Sequence, residues 1–257
     1  MTEAAVETEA HTGEAAHGPL DQFEIDRLIE MKIGNIDVSL TNSSVWMLIV
    51  LVAVSVFMLA GMRHRALVPG RHQSMAELAY ELVANMVRDN VGSEGQRYFP
   101  LIFSLFMFIL FANVLGLIPF TFTVTSHVIV TFAFAGLIFI GVTLLGFVRH
   151  GIKFFKFFMP PGVPIYLAPL LVPLELLSYL VRPVSLSVRL AANMFAGHTM
   201  IAVFGGFVVA MGVFGIGPLI FIVLIYGLEA IVAFLQAYVF AVLTCLYISD
   251  ALHMHQH

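Results

Sequence analysis

The chain has 257 residues, 60% of them hydrophobic and only 11% charged, with a mean hydropathy of +0.97 and a formal net charge of −4. This composition excludes a soluble globular domain or a basic nucleic-acid-binding protein and describes a polytopic membrane protein. The single cysteine, Cys245, excludes a disulfide framework. No phosphate-binding glycine loop is present, and the spans hold no histidine pair at metal or haem spacing, so no cofactor is expected.

Charge is unevenly distributed. Nine of the sixteen acids precede Asn42. Residues 1–42 therefore read as a polar N-terminal arm, and 43–257 as a single membrane domain. The arm starts MTEAAVETEAHTGEAAHGPL, with no basic n-region or apolar h-region, unlike a signal or transit peptide.

The first predicted span covers about 45–62, with Trp46 at one interface and Arg63, His64 and Arg65 at the other. Residues 74–89 read as an amphipathic helix too polar to span. Met75, Leu78, Ala79, Leu82, Val83, Met86 and Val87 form its apolar stripe, and Ser74 with Glu77 its capping box. From Tyr98 to Val148 there is no formal charge over 51 residues. The stretch PFTFTVTSH (Pro119 to His127) divides this into spans at about 98–118 and 127–148, with His127 expected on the surface of the turn. Arg149, His150, Lys153 and Lys156 follow. Placing both basic clusters in the cytoplasm puts the N-terminal arm and the 119–127 turn outside. A loop with Gly205, Gly206, Gly212, Gly215 and Gly217 then also lies outside, and the C-terminus inside. The terminal HMHQH reads as a solvated tail.

The last two helices, about 168–204 and 218–250, are too long for a bilayer. The 32 residues from Pro173 to Phe204 would make a helix about 48 Å long against a hydrocarbon core of about 30 Å. Both must tilt steeply or bend, and Pro183 is a bend point. The expected fold is an all-α polytopic membrane protein with about five membrane-embedded helices and one interfacial amphipathic helix.

Between Pro183 and Ser249 only Arg189 and Glu229 carry a formal charge. Arginine cannot shed its proton, and near mid-membrane it costs roughly 2.5–3.5 kcal/mol on insertion scales. Such a charge snorkels, makes a structural ion pair, or meets a mobile negative charge. Glu175, Arg182 and Arg189 are seven apart and share a helix face, with small Ser178, Ser185, Ala192 and Ala196 around them. Asn193 lies beside Arg189, and His198 nearly opposite. Glu229, Gln236 and Asp250 share a second stripe, beside Ala230, Ala233, Ala237, Ala241 and Thr244. By depth, His198 and Glu229 belong to the outer half, Arg189 to the middle and Glu175 to the cytoplasmic side. That order suggests two half-channels for protons, separated by a permanent cation.

At these residues the chain resembles subunit a of F-type ATP synthases. The resemblance rests on SLSVRLAANMFAGH (Ser185 to His198), LEAIVAFLQAYVF (Leu228 to Phe240) and NVLGLIPFTFTVTS (Asn113 to Ser126). The arm segment PLDQFEI (Pro19 to Ile25) is similar to the mitochondrial and alphaproteobacterial branch. The resemblance implies a non-catalytic membrane subunit that works with a c-ring and b-type peripheral stalk subunits in a lipid bilayer. It implies that Arg189 faces the c-ring carboxylates, that Asn193 and Gln236 are its polar neighbours, that Glu229 and His198 serve the inlet, and that Glu175 serves the exit. Many bacterial members carry the acid and the histidine of the inlet pair in exchanged positions. Location in a bacterial inner membrane is expected, with a mitochondrial inner membrane second. Two rivals stay open on the residues alone. One is a secondary transporter holding an anionic substrate at Arg189; the other is a structural anchor subunit of a respiratory complex.

Overall fold

A computed structural model describes residues 27–29, 32–33, 36–37, 39–63, 69–118, 121–151, 154 and 165–252. Most of the arm, His64 and Arg65, Lys153 and Lys156, and the HMHQH tail lie outside the described residues. The protein is nearly all helical. Among the described residues six α-helices follow in order: α1 (Asn42–Arg63), α2 (Arg71–Val91), α3 (Phe99–Gly116), α4 (Val128–His150), α5 (Ala168–Met211) and α6 (Ile216–Leu252). Ahead of α1, β1 (Arg27–Ile29) pairs antiparallel with β4 (Leu40–Thr41), and β2 (Lys32–Ile33) with β3 (Ile36–Asp37). These strands are short and precede the membrane-capable helices.

Helices α1, α3 and α4, and the continuous 169–252 stretch that carries α5 and α6, are long and apolar enough to cross a membrane. They leave large apolar side chains bare, as a lipid-facing surface requires: Leu59 of α1 is 65% exposed and Ile140 of α4 is 66% exposed. Helices α5 and α6, at 44 and 37 residues, would measure about 66 and 56 Å. They are about twice the hydrocarbon thickness, so they must tilt or run along its surface.

The core forms where α6 packs on α2 and α3. Ile102, Phe106, Met107 and Ile109 of α3 meet Ala237, Phe240, Ala241, Cys245 and Ile248 of α6, with Val83, Met86, Val87 and Val91 of α2 closing the cluster. Lipid is as apolar as leucine, so burying leucine there gains little. Close backbone approach and polar bridges do the work instead. The small-residue row of α6 serves this end: Ala233, Ala237, Ala241 and Thr244 are fully buried. Asn113 Nδ2 of α3 donates to the Ala233 carbonyl at 3.1 Å, and Thr131 Oγ1 of α4 donates to the Ser187 carbonyl of α5 at 3.2 Å.

Several local expectations change. Helix α2 begins at Arg71 after Gly70, and Ser74 N donates to the Gly70 carbonyl at 2.8 Å. Ser74 is thus already inside the first turn and cannot cap it, and Glu77 accepts from Gln73 Nε2 at 2.8 Å. The Pro69–Gly70 break places the N-cap at Gly70, four residues before Ser74. The buried stripe is also rotated to Ala76, Val83, Met86, Val87 and Val91, while Met75 and Leu78 are exposed.

The glycine-rich segment is not one loop. Gly205 and Gly206 remain in α5, the chain turns only at Gly212–Gly215, and Gly217 already belongs to α6. Helix propensity penalises glycine by about 1 kcal/mol, which an uninterrupted apolar run overrides. The turn is made at Gly212, whose φ of +53° disfavours an L side chain.

The 121–127 segment is not a surface turn either. Phe122, Thr123, Val124, Thr125 and Ser126 are all buried. Thr121 Oγ1 donates to the Leu115 carbonyl at 2.9 Å and to the Ile118 carbonyl at 2.7 Å. These bonds satisfy the acceptors that a helix C-terminus leaves open, and they draw the segment inward. His127 is correspondingly half-buried, stacked on Phe122 with centroids 5.0 Å apart at 18°. Burial pushes its pKa below that of a free imidazole.

Candidate functional site

Helices α5 and α6 bring His198 and Glu229 together at the end of α3. Glu229 is 6% exposed, and its Oε1 lies 3.6 Å from His198 Nδ1. Neither Glu229 oxygen has a hydrogen-bond partner among the described residues. At 3.6 Å the contact is an ion-pair distance and not a hydrogen bond. A buried carboxylate held only this way is costly when charged, and it gains from a proton or from a charged imidazole.

Gly197 makes the approach possible. A Cβ built there would overlap Cγ, Cδ and Oε1 of Glu229. Glycine at this position lets the α6 carboxylate lie directly on the α5 backbone.

His198 is held from both sides. Nδ1 lies 2.9 Å from the Met194 carbonyl, Nε2 lies 2.7 Å from the Gly116 carbonyl, and Thr123 Oγ1 is 3.2 Å from Nε2. Carbonyls only accept, so a doubly protonated ring donates to both. Either neutral tautomer would set one ring nitrogen's lone pair against a carbonyl oxygen, with the Thr123 hydroxyl the one donor within reach of Nε2. Gly116 is the last residue of α3, where the helix dipole presents partial negative charge to the imidazole.

Arg189 lies on the other side of α5. It is exposed, and it has no hydrogen-bond or ion-pair partner among the described residues. Ser178, Ser185, Ala192, Asn193 and Ala196 are exposed as well, so the small-residue face around Arg189 is open along the helix. Its neighbours Leu186, Ser187, Leu190, Ala191 and Met194 are buried and anchor α5 in the bundle. Gln236 of α6 is half-buried, and no hydrogen bond joins it or Asn193 to Arg189 among the described residues.

Towards the other ends of α5 and α6 a second polar group gathers. Arg182 Nη1 meets Asp250 Oδ2 at 3.4 Å, and its guanidinium lies 5.8 Å from the centroid of the Tyr247 ring. Tyr179 OH shares a 2.8 Å hydrogen bond with Thr143 Oγ1 of α4. Glu175 is half-buried on α5 and has no such partner among the described residues.

The structure therefore brings His198 and Glu229 into contact and leaves Arg189, Asn193, Gln236 and Glu175 without direct bonds to one another. Helical spacing alone missed three participants. Thr123 and the Gly116 carbonyl join the site only because the 121–127 segment folds back. Gly197 is conspicuous only once the depth of Glu229 is known. The Arg182–Asp250 pair links two stripes recognised separately in the sequence.

Residues 44–249 match the family model described as ATP synthase A chain. Named relatives agree over nearly the whole length. The chain is 56% identical over 242 residues to "ATP synthase subunit a" of Parvibaculum lavamentivorans, covering 91% of this chain and 93% of that protein. It is 53% identical to the subunit a of Paramagnetospirillum magneticum, covering 92% of this chain and 99% of the relative. To that of Pelagibacter ubique it is 53% identical, covering 93% and 99%. With the family model spanning residues 44–249 and these relatives more than half identical over nearly the whole length, the chain belongs to the ATP synthase A chain family.

Proposed function

We propose that this chain is the proton-translocating stator subunit of an F-type ATP synthase, supplying two half-channels that meet a c-ring on the open face of α5. It is multi-pass in a bacterial inner membrane, with the N-terminus outside and the C-terminus in the cytoplasm. It performs no chemistry on ATP, and b-type stalk subunits hold it against rotation.

The observation that carries this reading is the division of α5 into two faces. One face sets His198 against the buried Glu229; the other presents Arg189, unpaired among the described residues, on a strip of small residues. A proton arriving from outside passes through Glu229 and His198 to a ring carboxylate, with Asn193 and Gln236 bordering the transfer. Protonation removes the charge, so that site can move into lipid at tolerable cost. When the site returns, Arg189 favours the ionised carboxylate by direct Coulomb attraction, and the proton leaves on the Glu175 side. The permanent charge of Arg189 also opposes a proton crossing straight from one half-channel to the other. The membrane potential supplies about 2.3 kcal/mol per charge per 100 mV.

The test is Arg189→Ala in membrane vesicles holding the assembled complex. ATP-driven proton pumping and proton-driven synthesis are expected to be lost, and a passive leak through the variant would support the barrier role. Normal coupled synthesis would overturn the stator reading.

A further inference from the structure

The His198–Glu229 pair lies deep along both long helices. Each residue is thirteen positions from its own end of the hairpin, Met211 for α5 and Ile216 for α6, or about 20 Å along the axis. A proton cannot cross that depth of hydrocarbon without polar groups or water to carry it.

Beyond Tyr226, which lies one helical turn from Glu229, the hairpin offers no carriers. From Met200 to Ile225 no residue bears a hydroxyl, amide, imidazole or charged side chain. Its tip is strongly apolar and bare: Val209 is 84%, Val213 85% and Phe214 81% exposed. These side chains continue the lipid-facing surface of the two long helices. Thr199, the polar residue next to His198, spends its hydroxyl on the Phe195 carbonyl at 2.7 Å.

The 121–127 segment has the opposite character. It packs against α3, α4 and α5, and Thr123 reaches His198 directly. Beyond Thr123 come Thr125, Ser126 and His127. Thr125 is 3% exposed, yet its Oγ1 has no partner among the described residues, and neither does His127 Nε2. Unpartnered polar atoms buried in this way are destabilising unless water meets them. Glu229 Oε1 and Oε2 belong to the same unsatisfied set.

We propose that protons reach the His198–Glu229 pair from outside along the 121–127 segment, through water held by Thr125 and His127 and then past Thr123, and that the α5–α6 hairpin tip is sealed in lipid. This deepens the stator reading and rests on it. Thr125 and His127 would be positioning residues for the water and proton path, with Thr123 the last protein group before His198.

The test uses the assembled complex in sealed vesicles oriented with the outer face accessible. The native Cys245 is fully buried, so single-cysteine variants can be read against a low background. Thr125→Cys, Ser126→Cys and Phe214→Cys are treated from outside with the membrane-impermeant cation 2-(trimethylammonium)ethyl methanethiosulfonate, and proton-driven ATP synthesis is followed. Loss of synthesis is expected for Thr125→Cys or Ser126→Cys, and none for Phe214→Cys. His127→Phe, which keeps a ring against Phe122 but carries no proton, is expected to slow synthesis at equal amounts of assembled complex. Indifference of both loop cysteines to the reagent, or block from Phe214→Cys, would overturn the route. Arg189→Ala in the same vesicles separates the two levels. If that variant stays coupled, the stator reading itself fails. If it is uncoupled while the loop variants stay silent, only the route fails.

Discussion

Glu229 of α6 lies 3.6 Å from His198 of α5, with Gly197 beneath its carboxylate. The couple depends on both members and on the space between the helices. Exchanging them, as His198→Glu with Glu229→His, should retain more proton-driven synthesis than either single substitution. Equal loss in all three variants would show that the two residues do not act as a pair.

Gly197→Ala should separate that pair without removing either member. The added methyl collides with the carboxylate, and overpacking of this kind costs about 1–3 kcal/mol. Proton flux should fall while assembly with the rest of the complex persists. Undiminished flux in fully assembled complexes would show that the close contact is dispensable.

His127 should make the fold acid-sensitive. Burial lowers its pKa in the folded chain, whereas the unfolded chain keeps a value near 6.5. Above that value both states are neutral and the residue contributes nothing to the pH dependence. As pH falls below it, the unfolded chain takes up the proton first, so stability declines until the folded-state pKa is passed. His127→Gln should flatten this part of the thermal-stability profile between pH 7 and 5.

Asn113→Leu removes the buried hydrogen bond from α3 to the Ala233 carbonyl. Interhelical bonds of this type contribute about 0.6–2 kcal/mol in membranes. The variant should unfold earlier in a detergent titration by roughly that margin, and an unchanged midpoint would remove Asn113 from the bonds that hold α3 to α6.

The Arg182–Asp250 pair is half-exposed at 3.4 Å. Exposed ion pairs contribute about 0–1 kcal/mol. A double-mutant cycle with Arg182→Ala and Asp250→Ala should therefore return a small coupling energy in the isolated chain. A coupling of several kcal/mol would mean that the pair is shielded from water.

Sequence by itself determined the membrane class, the overlong last two helices, and the isolation of Arg189 and Glu229 in an uncharged stretch. Hydropathy over a bilayer length and the prohibitive cost of a bare charge in hydrocarbon are local quantities, readable one residue at a time. The order of Glu175, Arg189 and His198 along one helix followed from the uninterrupted apolar run alone. Tertiary structure decided what periodicity could not. Ser74 was spaced to cap a helix, but the break at Pro69–Gly70 started it earlier. Gly205 and Gly206 resembled a loop, but the surrounding apolar run kept them helical. Residues 121–127 resembled a surface turn, but their hydroxyls met the open carbonyls at the end of α3 and folded inward, bringing Thr123 to His198. The space above Gly197 exists only when α6 crosses α5 at that residue. The Thr123–His198 and Gly197–Glu229 contacts join residues far apart in the chain, and their energies arise only when the elements that carry them meet.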